Sequence, residues 1–128
     1  MLIVSDFDGT ICSIPAGYDV PAILSRNEDY LDVAIPNAKV CKILEEAYVI
    51  IVTGRTHPLP IWQYCRKHHI HVDRIICSPA DIWSRKDGYQ VMRARKKMTI
   101  ECIDPDLVLD DDAKMLAMLD VRRKILIR

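Results

Sequence analysis

Three short apolar runs in this chain lead into residues that can bind a cation, carry a proton or attack an electrophile. Leu2-Ile3-Val4 runs into Asp6 and Asp8, Tyr48 to Val52 into Thr53, and Leu107-Val108-Leu109 into Asp110 and Asp111. A single acid after a strand is explained well enough as a turn starter or a helix cap. Three strand ends with such groups point instead to one shared site, because open parallel sheets bind ligands outside the carboxyl ends of their strands, where the strand order reverses. Carboxylates gathered there repel one another. The usual relief is a hard cation such as Mg²⁺, held by oxygen ligands and retained water.

The elements that must position these groups follow from hydrophobic periodicity. Leu2-Ile3-Val4 is a buried strand. From Cys12 to Ile35 the pattern is irregular, punctuated by Pro15, Gly17 and Pro21, so residues 12–35 are expected to form a loop or small insertion. Asn37 is placed as an N-cap, and Val40, Ile43, Leu44 and Ala47 follow at i, i+3, i+4 and i+7, one apolar helix face. Tyr48 to Val52 is a β-branched strand that stops at Thr53-Gly54-Arg55. A helix is expected from Pro60 to His68 and a short strand from Val72 to Cys77, broken by Ser78-Pro79. The polar stretch from Asp81 to Cys102 predicts a loop followed by a helix, with Gly88 near its start. Leu107 to Leu109 is a fourth strand, Ala113 to Leu119 a short helix, and Ile125 to Ile127 a terminal strand. Strands that alternate with helices in this way build a three-layer α/β/α, Rossmann-like fold with a central parallel sheet and right-handed crossovers.

Composition bounds the remaining possibilities. The chain has 128 residues, half of them hydrophobic and 28% charged, which excludes a disordered or low-complexity protein and predicts a single domain over 1–128. Lys plus Arg and Asp plus Glu both number 18, so no net charge attracts nucleic acid or an anionic membrane. Two local basic stretches, one with Arg85, Arg93, Arg95, Lys96 and Lys97 and one with Arg122, Arg123 and Lys124, would hold a polyanion only if both lay near the acidic edge. By default they are solvated helix faces. The five cysteines include no C-x-x-C pair, so neither a zinc site nor a disulfide framework is expected, and free thiols fit a reducing cytosol. Met1 to Val4 meets Asp6 too soon for a signal peptide, and the longest apolar stretch, Ala47 to Val52, is far short of a membrane span. A soluble, cytoplasmic chain with no membrane partner is expected. His68, His69 and His71 match no zinc spacing and read as a surface cluster. Trp62 and Trp83 read as packing residues, Trp83 in a loop that could border the site.

The same motifs resemble the haloacid-dehalogenase (HAD) superfamily of phosphohydrolases. Asp6-Phe7-Asp8-Gly9-Thr10 matches its DxDGT motif, Ile50 to Arg55 its second motif, and Leu107-Val108-Leu109-Asp110-Asp111 its fourth, in the right order and across nearly the whole chain. The resemblance implies a phosphatase. Asp6 would be the nucleophile, forming an aspartyl-phosphate, and Asp8 the general acid and base. Gly9 and Thr10 would let the chain turn so that backbone N–H groups face the phosphate. Thr53 would bind a phosphoryl oxygen, assisted by the Gly54 N–H. Asp111, Asp6 and the backbone carbonyl of Asp8 would hold Mg²⁺, with Asp110 in a supporting position or binding through water. Asp112 is expected to cap the following helix.

The family also needs a lysine beside the nucleophile, on the helix before the last acidic strand. Lys86, Lys96 and Lys97 are the candidates, with Lys96 preferred because Ile100 and Ile103 share its face and Lys97 close behind. Arg55 could touch a substrate phosphate or be ion-paired in its loop. Larger relatives carry a cap domain after the first or third strand, and neither place has room for one here, so the site is expected to be open. That suits either a macromolecular phosphate end or a cap supplied by a partner subunit, and the layout is similar to phosphatase domains of polynucleotide kinases. The expected partner is a phosphorylated small molecule, a nucleotide or a polynucleotide end. The alternative is a catalytically degenerate domain that binds a phosphorylated ligand or a partner protein; an acid at position 8 favours catalysis. Oligomeric state is left open.

Overall fold

The computed structural model describes residues 1–18 and 30–128. Strands β1 (Leu2–Ser5), β2 (Tyr48–Val52), β3 (Arg74–Ile76), β4 (Leu107–Asp110) and β5 (Lys124–Leu126) form one sheet in the order β3-β2-β1-β4-β5. Every neighbouring pair is parallel. Parallel neighbours cannot be joined by a tight turn. Helices α1 (Ala38–Leu44), α2 (Leu59–Lys67), α3 (Gly88–Ile103) and α4 (Ala113–Met118) supply the connections, with a 3₁₀ turn at Ile82–Ser84 ahead of α3.

Strand alternation sorts the apolar residues into two cores. Ile3, Val49, Ile51, Leu107 and Leu109 pack with Val40 and Leu44 of α1 and with Ile61, Tyr64 and Cys65 of α2. Their sequence neighbours Val4, Ile50, Val52 and Val108 pack on the other side with Ile100 of α3 and Met115 and Leu116 of α4. The helices therefore cover both faces in pairs, giving the expected α/β/α layering. Burial on both sides is why the central strands read as unbroken apolar runs rather than as alternating ones.

The chain steps outward from β1 through β2 to β3, then returns across β1 to build β4 and β5. The reversal falls between β1 and β4, whose carboxyl ends lead to Asp6 and to Asp110 and Asp111. Among the described residues no cap domain stands over this edge. Residues 12–35 leave and rejoin the fold at one place: the Ser13 N–H donates to the Ile35 carbonyl at 2.9 Å and the Asn37 N–H to the Ile11 carbonyl at 2.8 Å. Residues 19–29 of that segment, including Pro21, lie outside the described residues. Among the described residues no helix is long and apolar enough to cross a membrane.

Element boundaries differ from the sequence expectation in instructive ways. Asn37 caps α1, its side chain accepting from the Val40 N–H at 3.2 Å, but the helix stops at Leu44. Ala47 is buried in the turn into β2 and not on the helix, and Ile43 is exposed. The i+7 match therefore reflects burial in a turn and no further helical repeat. The terminal strand starts one residue early, at Lys124, whose ammonium reaches back to the Leu116 and Leu119 carbonyls at 2.7 and 3.1 Å. Both carbonyls lie at the end of α4, where a cation is favoured. A β-strand with a lysine at its first position gives no apolar signal there. The histidines bind no common centre: His71 pairs with Asp73 at 2.9 Å and the His68 ring packs on Tyr64.

Candidate functional site

Two residues beyond Val4 and Val108, strand alternation brings Asp6 and Asp110 to the face covered by α3. The Asp6 N–H donates to the Leu109 carbonyl at 2.9 Å, which carries the β1–β4 pairing one residue past β1. On α3 the residues Met92, Lys96 and Ile100 follow at four-residue spacing and all are buried, so Lys96 sits in the middle of an apolar stripe. A lysine buried there without partners would be costly. Its ammonium instead donates to Asp6 Oδ1 at 3.0 Å and to Asp110 Oδ2 at 3.1 Å. The second Asp110 oxygen accepts from the Asp112 N–H at 3.0 Å.

Asp111 completes an acidic cluster: one carboxylate oxygen from each of Asp6, Asp110 and Asp111 lies within 4.8 Å of the others. Burial pushes the Asp6 carboxyl well above its ordinary range; Lys96 opposes that rise, while Asp110, Asp111 and Asp8 add to it. Asp111 is raised for similar reasons, burial first and the charge of Asp110 behind it, against the hydrogen bond it shares with Asp6. For Lys96, burial alone would lower the pKa, but the facing carboxylates of Asp6 and Asp110 drive it above the usual lysine value. One buried cation thus meets two of the three clustered carboxylates. Hard oxygen donors with surplus negative charge, and no thiolate or imidazole in the cluster, fit Mg²⁺ better than zinc or copper.

The turn after β1 supports Asp111. Gly9 has a φ of +80°, and a Cβ at that position would stand 2.1 Å from Asp111 Oδ2. The Thr10 hydroxyl lies 3.5 Å from both Asp6 Oδ2 and Asp111 Oδ1. Gly9→Ala would therefore combine left-handed backbone strain with displacement of the Asp111 carboxylate. We expect a stability loss of about 1–3 kcal/mol in a urea titration. Divalent-cation affinity should fall with it; a Gly9→Ala protein with wild-type stability and wild-type cation affinity would refute this role for the turn.

Several residues sit elsewhere than the sequence suggested. The N–H groups of Gly9 and Thr10, expected to face a phosphate, donate within the turn, to the Cys12 and Phe7 carbonyls at 2.8 and 3.2 Å. Arg55 does not line the cavity at the sheet edge and takes the other role expected for it, an ion pair. It is 4% exposed and binds Asp8 at both carboxylate oxygens, Nε to Oδ2 at 2.9 Å and Nη2 to Oδ1 at 2.8 Å. The Tyr30 hydroxyl donates to the same Oδ1, and the guanidinium lies against the Phe7 and Tyr30 rings. A guanidinium is the more readily buried of the two cationic groups because it is planar and weakly hydrated, which favours Asp8 over an outward-facing role. Lys97 also points away: one position round the helix from Lys96, it pairs with Glu101 one turn on. Lys86 precedes α3 in an exposed stretch. The Asp8 carboxylate, turned to Arg55, is not one of the three clustered carboxylates.

Asp6, Asp8, Thr53, Lys96, Asp110 and Asp111 line one cavity of about 330 Å³, with Gly54 beside them. Thr53 is buried, and its hydroxyl oxygen accepts from the Arg55 N–H at 3.1 Å. Asp112 caps α4 as expected, accepting from the Lys114 N–H at 3.0 Å, and also takes a hydrogen bond from Arg93 Nε at 2.8 Å. Of the basic stretches, Arg93 and Lys96 reach the cavity, whereas Arg85 pairs with Asp87 and Arg122 with Asp104 and Asp106 on the surface. Tyr30, Tyr89, Met92 and Arg93 were not among the expected site residues. Tyr30 comes from the irregular segment, where no periodicity marks it. Arg93 and Met92 could have been found from Lys96, since all three lie within one turn of the same helix.

No protein-family model and no curated protein sequence matches the chain. Among solved structures it is similar to a chain in "Structure of Pnkp1/Rnl/Hen1 complex", with a TM-score of 0.71 and 20% identity over 97% of this chain. A chain in "Structure of the Pnkp1/Rnl/Hen1 RNA repair complex" gives a TM-score of 0.66 and 21% identity over 91%. The protein spans 44% and 37% of those two chains. At these identities the likeness establishes the fold.

Proposed function

We propose that the chain is a divalent-cation-dependent phosphomonoesterase working through an aspartyl-phosphate, with nucleotide or polynucleotide phosphates as substrate. The observation that carries this is the buried ammonium of Lys96 shared between Asp6 and Asp110 beside a three-carboxylate cluster. A carboxylate so placed can attack phosphorus only if the charges of both partners are offset. Mg²⁺ held by Asp6, Asp110, Asp111 and the Asp8 carbonyl would supply Lewis-acid stabilisation of the phosphoryl group.

Asp6 would attack phosphorus through one carboxylate oxygen as the ester P–O bond breaks. The departing alkoxide would take a proton from Asp8. Asp8 would then accept a proton from the water that attacks the same phosphorus, regenerating Asp6 and freeing inorganic phosphate. Lys96 would stabilise the charge on the transferring group, and Thr53 would orient one of its oxygens. For Asp8 to donate a proton it must exchange one Arg55 hydrogen bond for the leaving oxygen, so Arg55 and Tyr30 would set its position. Among the described residues no cap stands over the edge of β1 and β4, which suits the end of a polymer, and the likeness to chains of an RNA repair complex accords with that substrate.

The test is hydrolysis of an aryl phosphate and of a phosphorylated oligonucleotide end with and without Mg²⁺. Chelation with EDTA is expected to reduce either rate by at least about a hundredfold, and Mg²⁺ to restore it. Turnover that ignores EDTA would contradict the metal-dependent mechanism. The second reading, binding of a phosphorylated ligand without turnover, is favoured by one observation, the engagement of both Asp8 oxygens by Arg55. Calorimetric binding of phosphate together with Mg²⁺ and no hydrolysis would establish it.

A further inference from the structure

Besides the carboxylates, the cavity is lined by Trp83, Tyr89, Met92 and Arg93. The phosphatase chemistry uses none of them. The Trp83 indole N–H donates to the Gly54 carbonyl at 2.7 Å, which pins the ring to the residue after Thr53. A Cβ on Gly54 would lie 2.9 Å from the indole, so ring and backbone are in close contact there. Tyr89 meets Trp83 nearly at right angles, with ring centroids 5.2 Å apart and an interplanar angle of 82°. Tyr89 is 44% exposed, so the two rings form a corner and not a closed core contact. The Arg93 guanidinium lies 5.2 Å from the Tyr89 centroid and is held by Asp112. Anchored aromatic rings with a guanidinium beside an acidic pocket offer little to the hydroxyls of a bare sugar. They suit a flat, polarisable ring that stacks.

Building on the phosphatase proposal, we infer that the Trp83–Tyr89–Arg93 wall seats the base of the nucleotide whose phosphate reaches Asp6. The wall begins at Gly54, next to the hydroxyl that would hold a phosphoryl oxygen, so base and phosphate are held by adjoining parts of one cavity. Stacking of a base on such a platform is sequence-tolerant, since every base has a π-face.

The experiment compares kcat/KM for a nucleoside monophosphate and for ribose phosphate carrying its phosphate at the same position. The wild-type protein should favour the nucleotide by about tenfold. Tyr89→Ala should bring the two substrates within about twofold of each other, and Tyr89→Phe, which keeps the ring, should retain the preference. Equal use of both substrates by the wild type, or an unchanged preference in Tyr89→Ala, overturns the inference. Binding is read separately from turnover by the fluorescence of Trp83 in an Asp6→Asn, Trp62→Phe protein, where Trp83 is the remaining tryptophan. Quenching by the nucleotide and not by ribose phosphate supports the base seat. If the wild type hydrolyses neither compound but this quenching persists, the phosphatase reading fails and the base seat stands. Hydrolysis of both compounds without a base preference removes the base seat and leaves the phosphatase reading in place.

Discussion

Asp6→Asn is expected to reduce phosphomonoester turnover by at least about 10⁴-fold, the scale seen when a covalent nucleophile is removed. The amide keeps the shape of the side chain and leaves Lys96 still bonded to Asp110. It also removes one of three mutually repelling carboxylates, so the fold should persist, with an unchanged circular dichroism spectrum. The loss would therefore be chemical. Steady-state hydrolysis of an aryl phosphate in Mg²⁺ measures it. A residual rate within about tenfold of wild type would remove Asp6 from the role of nucleophile, because an amide cannot form the acyl phosphate.

Lys96→Met should produce the largest combined effect on stability and activity. Methionine matches the length of the lysine stem but leaves Asp6 and Asp110 facing each other in a buried space without a countercharge. Breaking a buried pair by removing one partner costs about 3–5 kcal/mol, here read as a lower urea midpoint in metal-free protein. Added Mg²⁺ should recover part of that stability, since a cation binding the folded state stabilises it by mass action. Turnover should fall by about 10²-fold or more, because the lysine is aimed where negative charge develops. Lys97→Met is the control. Lys97 pairs with Glu101 on the helix surface, where such pairs contribute about 0.3–0.5 kcal/mol, so activity should stay within about twofold. Equal effects of the two substitutions would contradict the assignment of Lys96 to the site.

The central strands were legible because burial on both faces leaves β1, β2 and β4 with no polar interruption before their carboxyl ends. The edge strands β3 and β5 were harder to bound. Arg74 and Lys124 start them, and an edge strand tolerates charge where a central one does not. At the site, strand ends fixed where Asp6, Thr53, Asp110 and Asp111 had to go, because a parallel sheet brings its carboxyl ends to one side. Helical spacing selected Lys96 over Lys97, since rotation of 100° per residue separates buried from exposed neighbours. What spacing could not foresee was the pairing of Arg55 with Asp8. That contact depends on a loop after β2 folding over the turn after β1, and on Tyr30 arriving from a segment without periodicity. The direction of the Gly9 and Thr10 N–H groups was hidden for the same reason, as the turn closes on Phe7 and Cys12.

The proposed chemistry requires one divalent cation shared by the tips of β1 and β4. A crystal structure of the protein soaked in Mn²⁺, with anomalous scattering to locate the ion, tests it most directly. A single peak bonded to oxygens of both Asp6 and Asp111, at about 2.0–2.3 Å, is the expected result. Anomalous density elsewhere on the protein, with no ion joining those two carboxylates, would rule out a shared cation at the sheet edge.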